Sequence, residues 1–403
     1  MTNLDESDLL STAIRHQLYT QRQQRLRAAM RQHDCEVMLI CDSVNILYAT
    51  GAQNMTVFTT RTPARYLLLV ADGPCVLFDF LGGEHLAADL PTVDEVRSAQ
   101  GLCHVSSNGF VAEASATMAR EIAGILRDVG SHGGTLAVDR LPFQAVDALR
   151  AAGFAIRDAD PALAAARRHK LPIELDYMRA ATHRVEEATV AFEAALVPGI
   201  SEMEAWSHFH QPFMAHHGQY VVSRLMQSGP RTFPYFQECA DRLLQPGDMV
   251  CIDTDATALE GYAVDFSRSY LVGDGAPTPM QRTLYGRALE QLQHNCSLIH
   301  PGAAFADVAR QAWPVPAEHQ ASRYYALGHG LGLSGEYPNL PFVSDGHEYP
   351  LVDVFEPGMV FCVESYVGSE AAGEGVKLEE QLLITETGVE VMSRLPFCDR
   401  LGG

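Results

Sequence analysis

The chain has 403 residues, with 29 Lys plus Arg against 50 Asp plus Glu and a formal net charge of -21 at pH 7. That acidic balance argues against a nucleic-acid partner, because neutralising phosphate takes a surplus of Lys and Arg. No apolar stretch approaches the roughly 20 residues of a membrane span, and the length suits one or two domains with ample cores.

Residues 1–20 lack the basic-then-apolar order of a signal peptide. The nine cysteines are odd in number, form no CxxC pair and include several in apolar runs such as VMLIC and MVCIDTD. They read as reduced core residues, so a soluble, cytoplasmic protein without a membrane partner is expected. A charged amphipathic helix over 17–32 leads into the apolar runs VMLIC (37–41), YLLLVA (66–71) and CVLFDF (75–80), each a strand. Helical spacing returns over 112–129, and TLAVD (135–139) is a further strand. This is an α/β domain over 1–165 with no catalytic constellation of its own. Pro172, just before a long helix, marks the junction to a second domain over 166–403, giving an overall α/β (α+β) class.

The second half alternates long helices with strands that end in charged residues. Pro246-Gly247-Asp248 reads as a turn, and MVCID after it as a buried strand that delivers Asp253 and Asp255. In extended chain those two carboxylates share a face, because side-chain direction has period two, and they repel unless a cation intervenes. Asp265 lies in the alternating run YAVDFSR, His329 between glycines 328 and 330, Glu364 in FCVES and Glu379 in VKLEEQLLI. Ionised carboxylates in such apolar surroundings are rarely buried without compensation. Five carboxylates and one imidazole in this order point to a centre for two divalent transition-metal ions. Oxygen donors with one imidazole suit manganese, iron, zinc or cobalt, and the lack of cysteine among the candidates argues against a structural zinc site. His208, His210, His216 and His217 lie in a helical segment where only some pairs share a face, so they do not read as a second site. Arg268 is expected to support the metal carboxylates, Arg231 in SGPRTFPYF either anchors a carboxylate or caps its loop, and His347 falls in a loop read as exposed.

At these residues the chain resembles the pita-bread superfamily of creatinase, prolidase and methionine aminopeptidase. The ligand order of that superfamily, Asp, Asp, His, Glu, Glu, falls on Asp253, Asp265, His329, Glu364 and Glu379, and residues 1–165 look like its creatinase-like N-terminal domain. Two departures stand out. Asp255 replaces the usual glycine two residues after the first aspartate, and the two further histidines of the peptidases fall near Tyr235 or Phe236 and at Glu336. The deviating segments SGPRTFPYFQEC, DTD, DFSRS, GEYP and VKLEEQLLITETG are similar to the metal-dependent dimethylsulfoniopropionate lyases of the same superfamily. This resemblance implies a six-ligand set that includes Asp255, two metal ions with iron favoured over manganese or zinc, and β-elimination to dimethyl sulfide and acrylate. It also implies a homodimer in which residues 55–66 of one chain help close the other's site. Those lyases carry an aspartate base six residues after the metal histidine, where this chain has Gly335. Glu336 and Tyr324 are the candidate catalytic residues, and Arg231 and Tyr235 the candidate substrate contacts. The missing aspartate keeps open a second reaction, hydrolysis of a C–N bond in a small amide, dipeptide or amidine, as in Xaa-Pro dipeptidases and creatinase.

Overall fold

The runs VMLI, YLLLV and CVLFD have no polar alternation, so a strand built from any of them must be covered on both faces. In the computed structural model, which describes residues 6–131, 134–346 and 351–402, they form β1 (Val37–Ile40), β2 (Tyr66–Val70) and β3 (Cys75–Asp79), every residue of them buried. With β4 (Glu95–Ser98), β5 (Thr135–Val138) and β6 (Ala155–Asp158) they make a mixed six-stranded sheet in the order β4-β3-β2-β1-β5-β6. The helix Val111–Asp128 buries Ser115, Met118, Ala119, Ile122, Ile125 and Leu126 along one stripe, and Met118, Ile122 and Ile125 share a core with Leu39, Leu68, Phe78 and Leu136. Arg65 and Asp79 form a buried ion pair at 3.0 Å, and the same guanidinium donates to the Asn54 carbonyl at 2.5 Å. The expected elements appear within two residues of their expected limits, except that the first long helix begins earlier, at Thr12, where Ser11 accepts a hydrogen bond from the Ile14 amide. The short strands β4 and β6, too polar to stand out, were not expected.

The chain divides into two units between Arg167 and Arg168. Pro172 occupies the first turn of the helix Pro172–Ala194, as expected, and Glu174 accepts from the Leu171 amide at 2.9 Å. Two three-stranded sheets follow: β7 (Tyr220–Val221) with β10 (Ala256–Thr257) and β11 (Ala263–Val264), and β8 (Met226–Ser228) with β9 (Met249–Asp253) and β12 (Ser267–Leu271). A five-stranded antiparallel sheet closes the unit in the order β14-β13-β15-β16-β17, from β13 (Ala326–Leu331), β14 (Gly335–Pro341), β15 (Val360–Ser369), β16 (Glu374–Ile384) and β17 (Val389–Val391). Its centre is the long hairpin β15–β16. On one face Phe361, Val363, Val367, Val376, Leu378 and Leu382 join Leu284, Tyr285, Ala288 and Leu292 of the helix Pro279–Ser297 in one apolar cluster. Period two then sends Cys362, Glu364, Lys377 and Glu379 to the opposite face. No helix among the described residues is long and apolar enough to cross a membrane.

Candidate metal centre

Glu364 and Glu379 stand directly opposite each other in the β15–β16 pair. Like charges across an antiparallel pair destabilise it, so this register calls for a cation between them. β13 lies on the other side of β15 and brings His329 opposite Cys362. The glycines beside His329 serve the backbone: a Cβ at Gly328 would lie 2.2 Å from the Cys362 carbonyl, and one at Gly330 2.5 Å from the Tyr337 carbonyl. Asp253 ends β9 across from Ser267, and Asp265 sits in the link between β11 and β12. The expectation for Asp255 needs correcting in its cause. β9 stops at Asp253 and Asp255 has φ 37°, so a turn, rather than strand alternation, places its carboxylate, and Ser223 donates a hydrogen bond to it.

His329 Nε2 lies 3.5 Å from both Asp265 Oδ2 and Glu364 Oε1. Its Nδ1 is 3.1 Å from the Gly330 carbonyl, which fixes the proton there and leaves Nε2 free to ligate. One donor atom each from Asp265, His329, Cys362 and Glu379 falls within 4.8 Å of the others. Asp265 Oδ1 and Glu379 Oε1 are buried with no hydrogen-bond partner among the described residues. Such orphaned oxygens are costly unless a cation meets them, so the residues present fit a metal. Burial, then the charge of Glu379, pushes the Asp265 carboxyl well above its usual range, and burial with the charge of Glu364 does the same to Glu379. Burial with Asp253 pushes Asp255 up to about 6. Burial would lower His329, but its hydrogen bond and charge interaction with Glu364 raise it to about 9. Together these shifts describe an excess of negative charge.

Sequence reasoning missed the group that offsets part of that excess. Lys377 is fully buried, with Nζ 2.6 Å from Glu364 Oε2, 2.8 Å from Glu379 Oε2 and 3.4 Å from Asp253 Oδ2, and it donates to Ser267 Oγ at 2.7 Å. Burial alone would favour loss of its proton, but the Asp253, Glu364 and Glu379 carboxylates outweigh this and hold it charged. For Asp253, burial is likewise outweighed by Lys377 and by hydrogen bonds from Tyr235 and Ser267, which keep its carboxyl below the usual range. The signal was present: Lys377 is two residues from Glu379 in a strand, and so on the same face.

The remaining candidates divide. Tyr235 donates from its hydroxyl to Asp253 Oδ2 at 2.6 Å, a contact that orients a ligand. Tyr235, Tyr324 and Tyr366 form a buried aromatic cluster, extended by Phe236 and Tyr325 with ring centroids 4.7 to 5.8 Å apart. The Lys377 ammonium lies 5.0 Å from the Tyr324 ring, so this aromatic wall borders the carboxylates. Arg231 is committed elsewhere. It pairs with the fully buried Glu202 and donates to the Glu238 carbonyl at 2.8 Å, contacts that brace its loop. Glu202 also accepts from Ser228 Oγ at 2.6 Å and the Ala240 amide at 2.9 Å, so it ties both ends of the segment that carries Tyr235. Glu202→Ala, which strands the Arg231 charge and these donors, is expected to cost about 3 kcal/mol, read by urea denaturation at fixed metal concentration.

Glu336 is also held. Its Oε2 lies 2.7 Å from Lys170 Nζ, the two side chains being 6% and 3% exposed, and its Oε1 accepts from the Leu333 amide at 3.1 Å. That geometry argues against the expected role as base. Arg268 donates to Glu380 Oε1 at 2.7 Å and to the Glu379 carbonyl at 2.9 Å, so it supports the ligand strand through its backbone. His208, His210, His216 and His217 form no metal cluster among the described residues, and His347 lies outside those residues.

Comparison with known proteins agrees with this geometry. The pattern of metallopeptidase family M24 matches residues 176–386, and that of the creatinase/prolidase N-terminal domain residues 22–169. The dimethylsulfoniopropionate lyase DddP of Roseovarius nubinhibens is 34% identical over 388 residues, 94% of this chain and 86% of that protein. The DddP of Roseobacter denitrificans is 33% identical, covering 91% and 83%. Among solved structures, the prolidase from Pyrococcus horikoshii superposes with a TM-score of 0.74 at 19% identity, over 94% of this chain and 99% of its own, a likeness of fold alone. With the family pattern covering the strands that carry the ligands, the chain belongs to metallopeptidase family M24, the pita-bread enzymes, and is a metal-dependent enzyme with a creatinase/prolidase N-terminal domain.

Proposed function

We propose that this enzyme is a lyase that cleaves dimethylsulfoniopropionate, or a similar small carboxylate with a cationic leaving group, by β-elimination to dimethyl sulfide and acrylate. The observation that carries the reading is the aromatic wall of Tyr235, Phe236, Tyr324 and Tyr325 beside the ligand cluster. A sulfonium ion is stabilised over aromatic faces, by about 0.5–2 kcal/mol per contact. The extended identity to the two lyases supports it.

Asp253, Asp255, Asp265, His329, Glu364 and Glu379 would hold two divalent ions, iron by resemblance, with manganese or zinc as alternatives. When bound, the metal pair supplies Lewis acidity toward the substrate carboxylate and so acidifies the adjacent C–H. Tyr235 holds Asp253 in place, and Tyr324 faces the cationic end of the substrate. The C–H proton passes to solvent, its electron pair forms the acrylate double bond, and the sulfonium departs with the C–S pair as a neutral sulfide that needs no proton, so the imidazole donors of the peptidases are dispensable here. The nine free cysteines support a reducing, cytoplasmic setting. For a homodimer, the support is the resemblance together with the half-exposed Met55, Val57 and Phe58 at the helix Thr56–Arg61.

A second reading, hydrolysis of a C–N bond in a small amide or dipeptide, is favoured by one observation: Gly335 supplies no base for elimination. Incubating metal-loaded protein with dimethylsulfoniopropionate and measuring headspace dimethyl sulfide, beside a panel of Xaa-Pro dipeptides, separates the two. Sulfide release above any dipeptide cleavage is expected; cleavage of a dipeptide with no sulfide would replace the lyase by a hydrolase.

A further inference from the structure

Three of the four donor atoms that converge within 4.8 Å belong to Asp265, His329 and Glu379; the fourth is the sulfur of Cys362. Cys362 precedes Glu364 by two residues on β15, so both side chains leave the same face of the strand. The sheet sets it opposite His329 on one side and Gln381 on the other, and it is fully buried. Its thiol lies 3.4 Å from the Asp265 carbonyl, a weak hydrogen bond that a metal–sulfur bond would outcompete. The orphaned Asp265 Oδ1 and Glu379 Oε1 belong to the same group of side chains. Donors bound to one ion at about 2.0–2.3 Å lie no more than about 4.6 Å apart, and these four lie within 4.8 Å of one another.

We propose that Cys362 is a sulfur donor to the metal ion held by Asp265, His329 and Glu379. This deepens the reading of the cluster as a metal centre and rests on it. One half of the centre then has a mixed oxygen, nitrogen and sulfur shell. Its preferred ligand class is a thiophilic divalent cation, such as ferrous iron, zinc, cobalt or cadmium, over manganese or magnesium. On coordination one metal–sulfur bond forms, the thiol proton passes to solvent and no electron is transferred. The competing role is that of a small buried hydrophobe, common for a free cysteine.

Cobalt distinguishes the two. Metal-free protein reconstituted with cobalt(II) should show an intense near-ultraviolet thiolate-to-cobalt charge-transfer band, which oxygen and nitrogen donors do not give. Cys362→Ser should lose that band while keeping cobalt and the weaker visible bands. Cadmium affinity should fall at least about tenfold in the same variant, with manganese affinity unchanged, on the scale seen when groups around a metal are altered. Cys362→Ala serves if the serine variant does not fold. A cobalt-loaded wild type without the band, or a band that survives in both variants, overturns the role of Cys362 and leaves the centre intact. Failure of the wild type to retain cobalt at all would instead overturn the metal centre.

Discussion

Replacing Lys377 by methionine should lower the melting temperature of the metal-free protein sharply, and added divalent metal should restore most of the loss. Asp253, Asp255, Asp265, Glu364 and Glu379 place five carboxylates around one ammonium that touches three of them. The sum leaves a surplus of negative charge for bound divalent metal to offset. Without Lys377, nothing on β16 opposes the Glu364 and Glu379 charges across the hairpin. Removing one partner from a buried ion pair costs about 3–5 kcal/mol, a large share of the roughly 5–15 kcal/mol that stabilises a folded chain. Lys377→Arg should retain much of the stability, because the charge is kept. Melting curves with chelator and with added metal give the answer; a Met variant as stable as the wild type in chelator would show that the ammonium is a bystander.

Gly335→Asp should raise dimethyl sulfide release by about 10²–10⁴-fold, the usual contribution of a positioned base. A Cβ built at Gly335 meets nothing nearer than His329 Nδ1 at 4.0 Å, so a side chain fits beside the imidazole. Glu336→Gln should leave elimination nearly unchanged, since that carboxylate serves Lys170, while lowering stability by stranding a buried ammonium. Initial rates and denaturation midpoints of both variants, compared at equal metal content, test the assignment. If Glu336→Gln abolishes turnover while metal content and fold persist, Glu336 is the base after all and the Lys170 pair opens during catalysis.

Most of the fold was legible because its strands and helices have strong periodicity. Apolar runs without alternation gave the buried strands, and Pro172 and the Pro246-Gly247-Asp248 turn marked element starts. The six candidate ligands were legible as acidic or imidazole groups in apolar surroundings, an expensive placement that signals compensation. What escaped lay in pairings distant in sequence. The partner of Arg231, Glu202, lies 29 positions earlier, and that of Glu336, Lys170, lies 166 positions away, so neither pairing shows in the local sequence. The turn at Asp255 was read as strand because nothing local requires a positive φ at an aspartate. Strand alternation places Lys377 and Cys362 each beside a candidate glutamate, but an ammonium is no metal donor and a cysteine in an apolar run reads as core.

The proposed ligands come from five separate stretches of chain, and Glu379 on β16 is the last of them to be synthesised. Until β16 is made, a nascent chain carries Asp253 to Glu364 without the last carboxylate, so the proposed centre is complete only late in synthesis. The same strand that delivers the final carboxylate delivers the Lys377 ammonium two residues ahead of it. Charge and counter-charge thus emerge together, and the newly made hairpin can close on the growing sheet before any ion is found.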